Sequence, residues 1–345
     1  MAIATDTRKT ITVYGATGAQ GSPVVRSLLQ NSAFKVRAIT RKPDSEAAKV
    51  LRALGAEIAV GDGWKREQMV SAFSGSWGAF VNTNSDDPCF FDDTDPTEFD
   101  LGKTIIDSIV EAGTVKHLVY STLTDTSAFT NGEAVIKTAD AKARIQRYAA
   151  DLGYFETVCP LYQGWYMDIF GGEDYARALG GFPFFQDEEG FRTLRFPRWG
   201  KDTDMPLPFI SLTDDFGDIV HGVFLEPEKY NGRAVTTVSD IRTYPEAVET
   251  LTAVTGKQAR YVRVTDLDAH FGDSRQGRET ISIFRFGQCT NGRFFGGEPM
   301  STDISAHLKA RAVQAQGKGQ DACKLTTLRE FFEKYVVPRI QELEA

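Results

Sequence analysis

Apolar positions in the first half of the chain follow two alternating rhythms. Short runs of apolar and β-branched residues at 11–14, 35–40, 57–60, 78–82, 116–121 and 156–159 predict six strands. Stretches with apolar residues three and four apart predict helices between them, over 22–29, 45–54, 65–73, 97–112 and 138–152. Strands this apolar belong to a sheet covered on both faces, and regular strand–helix alternation makes that sheet parallel. Crossovers are then right-handed, and a ligand lies beyond the carboxyl ends of the strands.

Beyond residue 160 the rhythm breaks. Residues 171–210 are rich in Gly, Phe and Pro with little periodicity, and 281–300 repeat that composition. Helices are expected at 214–225, 246–255 (with Gly256 as its cap) and 327–340, strands at 233–237 and 259–264, and a mobile loop at 314–320. The expected organisation is an α/β domain over 8–160 and a smaller, loop-rich lobe over 161–345, partly interleaved with the sheet.

The junction of the first strand and helix carries the most specific chemistry. Gly15-Ala16-Thr17-Gly18-Ala19-Gln20-Gly21 follows a strand and opens a helix. Gly15 allows the tight turn, Gly18 lets backbone approach a pyrophosphate, and Gly21 permits close packing of the helix. Free N–H groups at the helix start then bind the phosphates. The second strand ends in Thr40-Arg41-Lys42, where an NAD-preferring site places Asp or Glu. Two cations and a hydroxyl suit a ribose 2′-phosphate, and the planar fork of Arg41 also suits stacking on adenine. The cofactor expected is NADP(H). Asp62 and Gly63 after the third strand, Asn82 and Thr83 after the fourth, and Ser121 and Thr122 at the end of the fifth occupy the carboxyl ends where it should lie.

Composition narrows the partners. The chain has 345 residues, 41% hydrophobic and 25% charged, so it can bury a large core. A net charge of −8 argues against direct nucleic-acid binding, which needs a basic stripe. No run approaches the roughly 20 apolar residues of a membrane span, and Met1–Asp6 has no apolar leader core. Four dispersed cysteines read as reduced thiols of a cytoplasmic protein, and with four scattered histidines no metal site is expected.

The glycine run, Arg41 and the strand end Val119-Tyr120-Ser121-Thr122 resemble the NmrA-like branch of the atypical short-chain dehydrogenases, related to the isoflavone-reductase group. Thr213–Ile219 resembles that family's late helix start, and the likeness covers about residues 8–265. It implies an α/β fold of Rossmann type, a doubly wound parallel sheet with a C-terminal substrate lobe. It also implies that Lys142 serves as catalytic acid or base or holds the ribose. The tyrosine of the wider superfamily's YxxxK pair falls at Thr138, a far poorer acid. Tyr166 matches an aromatic at the mouth of the nicotinamide pocket, and Asp168 stands about where the family has Asn. Tyr166 either replaces the missing phenol as proton donor or forms the pocket wall.

Two functions remain open on these residues, the first with a variant. Twelve aromatics, Trp165, Tyr166, Phe182, Phe184, Phe185, Phe196, Trp199, Phe209, Phe284, Phe286, Phe294 and Phe295, suit a pocket for a bulky, flat, apolar substrate or pack as core. The acidic segment 85–96, expected over the nicotinamide end, would attract a cation such as an iminium or form a solvated loop. This reading is an NADP(H)-dependent oxidoreductase acting on an imine, iminium or conjugated C=C/C=O, with product cyclisation in the same pocket as a variant. The alternative is an NADP(H)-binding redox sensor that acts through a protein partner.

Overall fold

The computed structural model describes residues 7–90 and 96–345. Residues 1–6 and positions 91–95 of the acidic segment lie outside the described residues. Twelve strands are described: β1 (Lys9–Tyr14), β2 (Phe34–Thr40), β3 (Glu57–Val60), β4 (Gly78–Val81), β5 (His117–Thr122), β6 (Thr157–Gln163), β7 (Trp165–Tyr166), β8 (Arg192–Pro197), β9 (Leu207–Ile210), β10 (Val235–Thr237), β11 (Asp240–Arg242) and β12 (Ala259–Val264). Seven of them form one sheet in the order β10-β6-β5-β4-β1-β2-β3. Every pairing in it is parallel. This is the parallel sheet that the alternating rhythms predict, and it is of the α/β Rossmann type that the resemblance implies. Its sixth strand runs on to Gln163, and β10, from the second half of the chain, closes one edge.

The period of two along each strand divides the core into two layers. Ile11, Val13, Phe80, Val119 and Leu161 face the helices Gly21–Leu29 and Gly217–Leu225, where they meet Val24, Leu28, Ile219 and Val223. Ala79, Val81, Leu118, Tyr120 and Val158 face the helices Arg66–Phe73, Glu98–Ala112 and Lys137–Asp151. The central strands β4 and β5 are accordingly buried at every position. In the first layer His221 is fully buried, with its ring nitrogens against Ser27 Oγ and Asn31 Nδ2, each at 3.0 Å.

The second half is more regular than its composition suggests. Helices form over Arg275–Cys289 and Asp303–Ala315. Position 287, within the first of these, is a glycine because the Trp199 ring lies against it: a Cβ there would stand 2.4 Å from a ring carbon. The expected loop at 314–320 is partly helix and tied down, since the Gln316 amide donates to Ser27 Oγ at 2.9 Å and Asp218 Oδ1 at 2.8 Å. Strands β7, β9 and β11 form one small sheet, β8 and β12 another. The aromatics pack chiefly on one another around Trp165, whose ring lies within 6.5 Å of those of Phe196, Trp199, Tyr244, Phe284 and Phe294. Of the twelve considered as pocket lining, only Trp165, Tyr166, Phe185 and Phe294 escape full burial. The aromatic composition builds a core, with each ring removed from water stabilising by roughly 1.5–3 kcal/mol.

Candidate active site

The loop between β1 and its helix is shaped by backbone contacts that leave no room for side chains. Gly15 has a φ of +76°, and a Cβ on it would stand 2.9 Å from the Asn82 carbonyl oxygen. A Cβ on Gly21 would stand 2.2 Å from the Gly15 carbonyl oxygen. Gly18 donates its N–H to that same oxygen at 3.0 Å, and a Cβ on it would meet only this atom, at 3.3 Å. Its other side is open. The first turn of the helix Gly21–Leu29 carries no acidic residue, so its N–H groups and dipole face an anion without competition.

A cleft of about 680 Å³ runs across the carboxyl ends of the strands. Thr40, Arg41, Lys42 and Asp62 line one end, Gly15, Thr17, Gly18 and Ala19 the middle, and Gln20, Asn82, Thr83, Lys142 and Tyr166 the other end. Four expected contacts do not line it. Gly21 lies beneath the loop. Gly63 is pressed against the Tyr14 hydroxyl, which a Cβ would approach to 2.4 Å. Ser121 is buried and donates to Gln163 Oε1 at 3.0 Å, and the buried Thr122 hydroxyl turns to the Leu123 carbonyl oxygen at 3.4 Å. The cleft instead gains Tyr14, Trp64, Asp87 and Gln163. Burial raises the Tyr14 phenol to about 12.

Lys142 reaches the cleft from the helix Lys137–Asp151 and is almost wholly buried. Its ammonium lies 2.7 Å from the Thr83 carbonyl oxygen, 3.0 Å from Thr83 Oγ1, 3.4 Å from Asn82 Oδ1 and 2.9 Å from a carboxylate oxygen of Glu98. Glu98, equally buried, also accepts the Thr83 hydroxyl at 2.6 Å. Sequence reasoning missed Glu98 because an acidic residue in the first turn of a helix ordinarily complements the dipole. Thr138 takes no part in the cleft: its hydroxyl and backbone N–H both donate to Glu279 of the C-terminal half.

At the same end, the Gln20 amide donates to the Tyr166 hydroxyl at 2.7 Å and to Gln163 Oε1, while Gln20 Oε1 is buried with no partner among the described residues. Burial pushes the Tyr166 phenol well above its ordinary value, and the charges of Asp168 and Asp86 push the same way. Asp168 does not line the cleft. Its carboxylate accepts the Leu212 N–H at 2.9 Å and the Thr213 hydroxyl at 2.7 Å, fixing the turn before the helix Gly217–Leu225.

The described part of the acidic segment divides: Asp86 lines the cleft and its charge acts on Tyr166, whereas Asp87 turns toward the other end. Asp87 Oδ2 pairs with Arg41 Nη1 at 3.0 Å, at the opposite end of the cleft from Lys142. Against the effect of burial, hydrogen bonds from Cys89 and the pairing with Arg41 hold the Asp87 carboxyl below its usual value. Among the described residues no three of His, Cys, Asp or Glu are grouped to hold a metal ion, and no helix is long and apolar enough to cross a membrane.

Three comparisons place this geometry among known proteins. Over 339 residues the chain is 70% identical to the NmrA-like family domain-containing oxidoreductase notA of Aspergillus sp. (strain MF297-2), covering 98% of this chain and all of the relative. It is 52% identical over 333 residues to cpsB of Aspergillus campestris, also named an NmrA-like family domain-containing oxidoreductase, covering 96% and 98% of the two chains. The crystal structure of NmrA, a negative transcriptional regulator, in complex with NADP shares the fold, with a TM-score of 0.70 at 21% identity over 99% of this chain and 98% of that one. The NmrA-like family model matches residues 7–314, and with these relatives it shows that the chain belongs to the NmrA-like family.

Proposed function

We propose that the protein is an NADP(H)-dependent oxidoreductase acting on a bulky, largely apolar small molecule whose reacting bond is an iminium, an imine or a conjugated C=C/C=O. The observation that carries this reading is a single cleft joining a phosphate cradle to Lys142 and Tyr166, with Arg41 and Lys42 at its far end. The residues fit the cofactor. Gly18 leaves open the space a pyrophosphate needs, and the unpartnered Gln20 Oε1 awaits a donor. Relatives as close as 70% identity carry the name oxidoreductase, which favours turnover over a purely sensory role.

Bound NADP(H) supplies or accepts the hydride. The chain's own residues bind and orient: the glycine loop takes the pyrophosphate, Arg41 and Lys42 take the 2′-phosphate, and Lys142 with Asn82 holds the ribose at the reacting end. Proton supply is the weak point of this cleft. The lysine ammonium is already engaged by Thr83, Asn82 and Glu98, position 138 has no phenol, and the buried Tyr166 phenol is a poor acid. An iminium carbon is already electrophilic and needs no proton, and the negative field of Asp86 and Asp168 favours a cation beside Tyr166. Among the candidate bonds, the iminium suits the site best.

The test is turnover. Purified protein is incubated with NADPH or NADP⁺ and a panel of polycyclic iminium ions, imines and enones, following cofactor absorbance and product mass. Cofactor consumption fastest with the iminium members is expected, and a product of cyclised connectivity would add ring closure to the reaction. Cofactor binding with no turnover across the panel, together with an NADP(H)-dependent change in affinity for a protein partner, would replace this reading by the redox sensor.

A further inference from the structure

Arg41 already has an anionic partner. Its Nη1 lies 3.0 Å from Asp87 Oδ2, and both residues line the cleft. Asp87 belongs to the loop that follows β4, whereas Arg41 directly follows β2, so the pair spans the cleft rather than bracing one loop. The carboxylate is held by built structure. Its other oxygen accepts the Cys89 N–H at 3.2 Å, its carbonyl accepts the Phe90 N–H at 3.0 Å, and its own N–H donates to the Asn84 carbonyl at 3.3 Å. Phe90 is buried edge-on against Trp64, a further residue of the cleft wall, with ring centroids 6.2 Å apart. The Asp87 side chain is only 15% exposed, whereas that of Arg41 is 59% exposed.

We propose that Asp87 sets the protein's preference between NADPH and NADH by competing with the 2′-phosphate for the Arg41 guanidinium. This rests on the reading of the cleft as an NADP(H) site. A phosphate offers three oxygens and nearly two negative charges to the planar fork, so it displaces a single carboxylate oxygen from Arg41. The displaced carboxylate remains fixed nearby by its turn and repels the phosphate that replaced it. NADH has no 2′-phosphate and need not break the pair, and its ribose 2′-hydroxyl can donate to the carboxylate. Asp87 therefore narrows a preference that Arg41 and Lys42 would otherwise make large, and its removal should tighten binding rather than weaken it.

The experiment is a fluorescence titration of NADPH and NADH against the whole protein and its Asp87→Asn, Arg41→Ala and doubly substituted forms. Asp87→Asn should tighten NADPH roughly three- to tenfold, the scale of one exchanged, partly exposed charge contact, and leave NADH within about twofold. With Arg41→Ala already in place, the same change should lose most of its effect on NADPH, because no guanidinium remains to compete for. If wild type binds NADPH and Asp87→Asn leaves the NADPH-to-NADH ratio unchanged or lowers it, the competition is overturned while the cofactor reading stands. An equal gain with and without Arg41 would also overturn it, pointing to repulsion alone. If wild type binds neither nucleotide, the cofactor reading itself fails and the role of Asp87 fails with it.

Discussion

Each end of the cleft holds an ion pair, and the two pairs are opposites. Lys142 and Glu98 meet at 2.9 Å with both side chains about 5% exposed, inside a cage that also includes Thr83 and Asn82. Arg41 and Asp87 meet at 3.0 Å with the guanidinium largely in water. Burial makes the first pair hard to break, because either partner left alone would be a buried, uncompensated charge. Exposure makes the second cheap to exchange, since water and counterions take over for a lost partner. The end at which the reaction is proposed is rigid, and the end at which the cofactor would be selected is adjustable.

The strongest way to break this comparison is Glu98→Ala. It strands the Lys142 ammonium and should lower stability by about 3–5 kcal/mol. Urea unfolding at neutral pH measures this, and a loss below about 1 kcal/mol would mean that the buried pair is no more binding than the exposed one. Acid gives the next largest effect, from a group at neither end. Burial lowers the His221 imidazole from 6.5 to about 4. Between those values the unfolded chain takes up a proton that the folded one refuses, so stability rises with pH across the window. The contribution is full above about pH 6.5 and is lost as pH falls toward 4, amounting to about 3 kcal/mol. Unfolding curves at pH 7 and 4.5 for wild type and His221→Gln should show the variant losing much less, and equal losses would place the acid sensitivity elsewhere.

The rigid end and the adjustable end were not equally legible in the sequence. Local backbone demands show plainly: Gly15, Gly18 and Gly21 can be read from their spacing, and Arg41 from its place at a strand end. Lys142 came only through family resemblance, and the carboxylate that cages it gave no signal, because a first-turn glutamate has an ordinary use. Gln163 was hidden because β6 extends past its apolar run. The direction of Asp87 depends on Phe90 packing against Trp64, a contact between loops far apart in sequence. The helix Arg275–Cys289 was hidden for a related reason, since Gly287 serves a tertiary contact with Trp199 and its composition alone suggests a loop.

Arg41→Ala sharpens the comparison from the exposed side. Loss of a charge-assisted contact with the 2′-phosphate should weaken NADPH by about 1–2 kcal/mol, with the lower end reflecting solvent at this site. NADH affinity and urea stability should each move by less than about 0.5 kcal/mol, because the pair with Asp87 is exposed. Isothermal titration with both nucleotides separates these outcomes. A stability loss comparable to that of Glu98→Ala would erase the distinction between the two ends.

A small effect on stability is expected from Tyr166→Phe, and it bears on what the rigid end does. The change removes one acceptor of the Gln20 amide, which keeps its contact with Gln163, so urea stability should fall by only about 1 kcal/mol. Its effect on turnover depends on the bond being reduced. If the phenol delivers a proton, an enone should suffer the roughly hundredfold or greater loss typical of a missing general acid. An iminium needs no such proton, so its turnover should fall less than about tenfold, the scale of one lost orienting hydrogen bond. The ratio of the two losses, taken from initial rates on matched polycyclic substrates, isolates the chemistry from any general damage to the cleft. Equal losses on both substrates would make Tyr166 part of the wall and leave the proton to bound water.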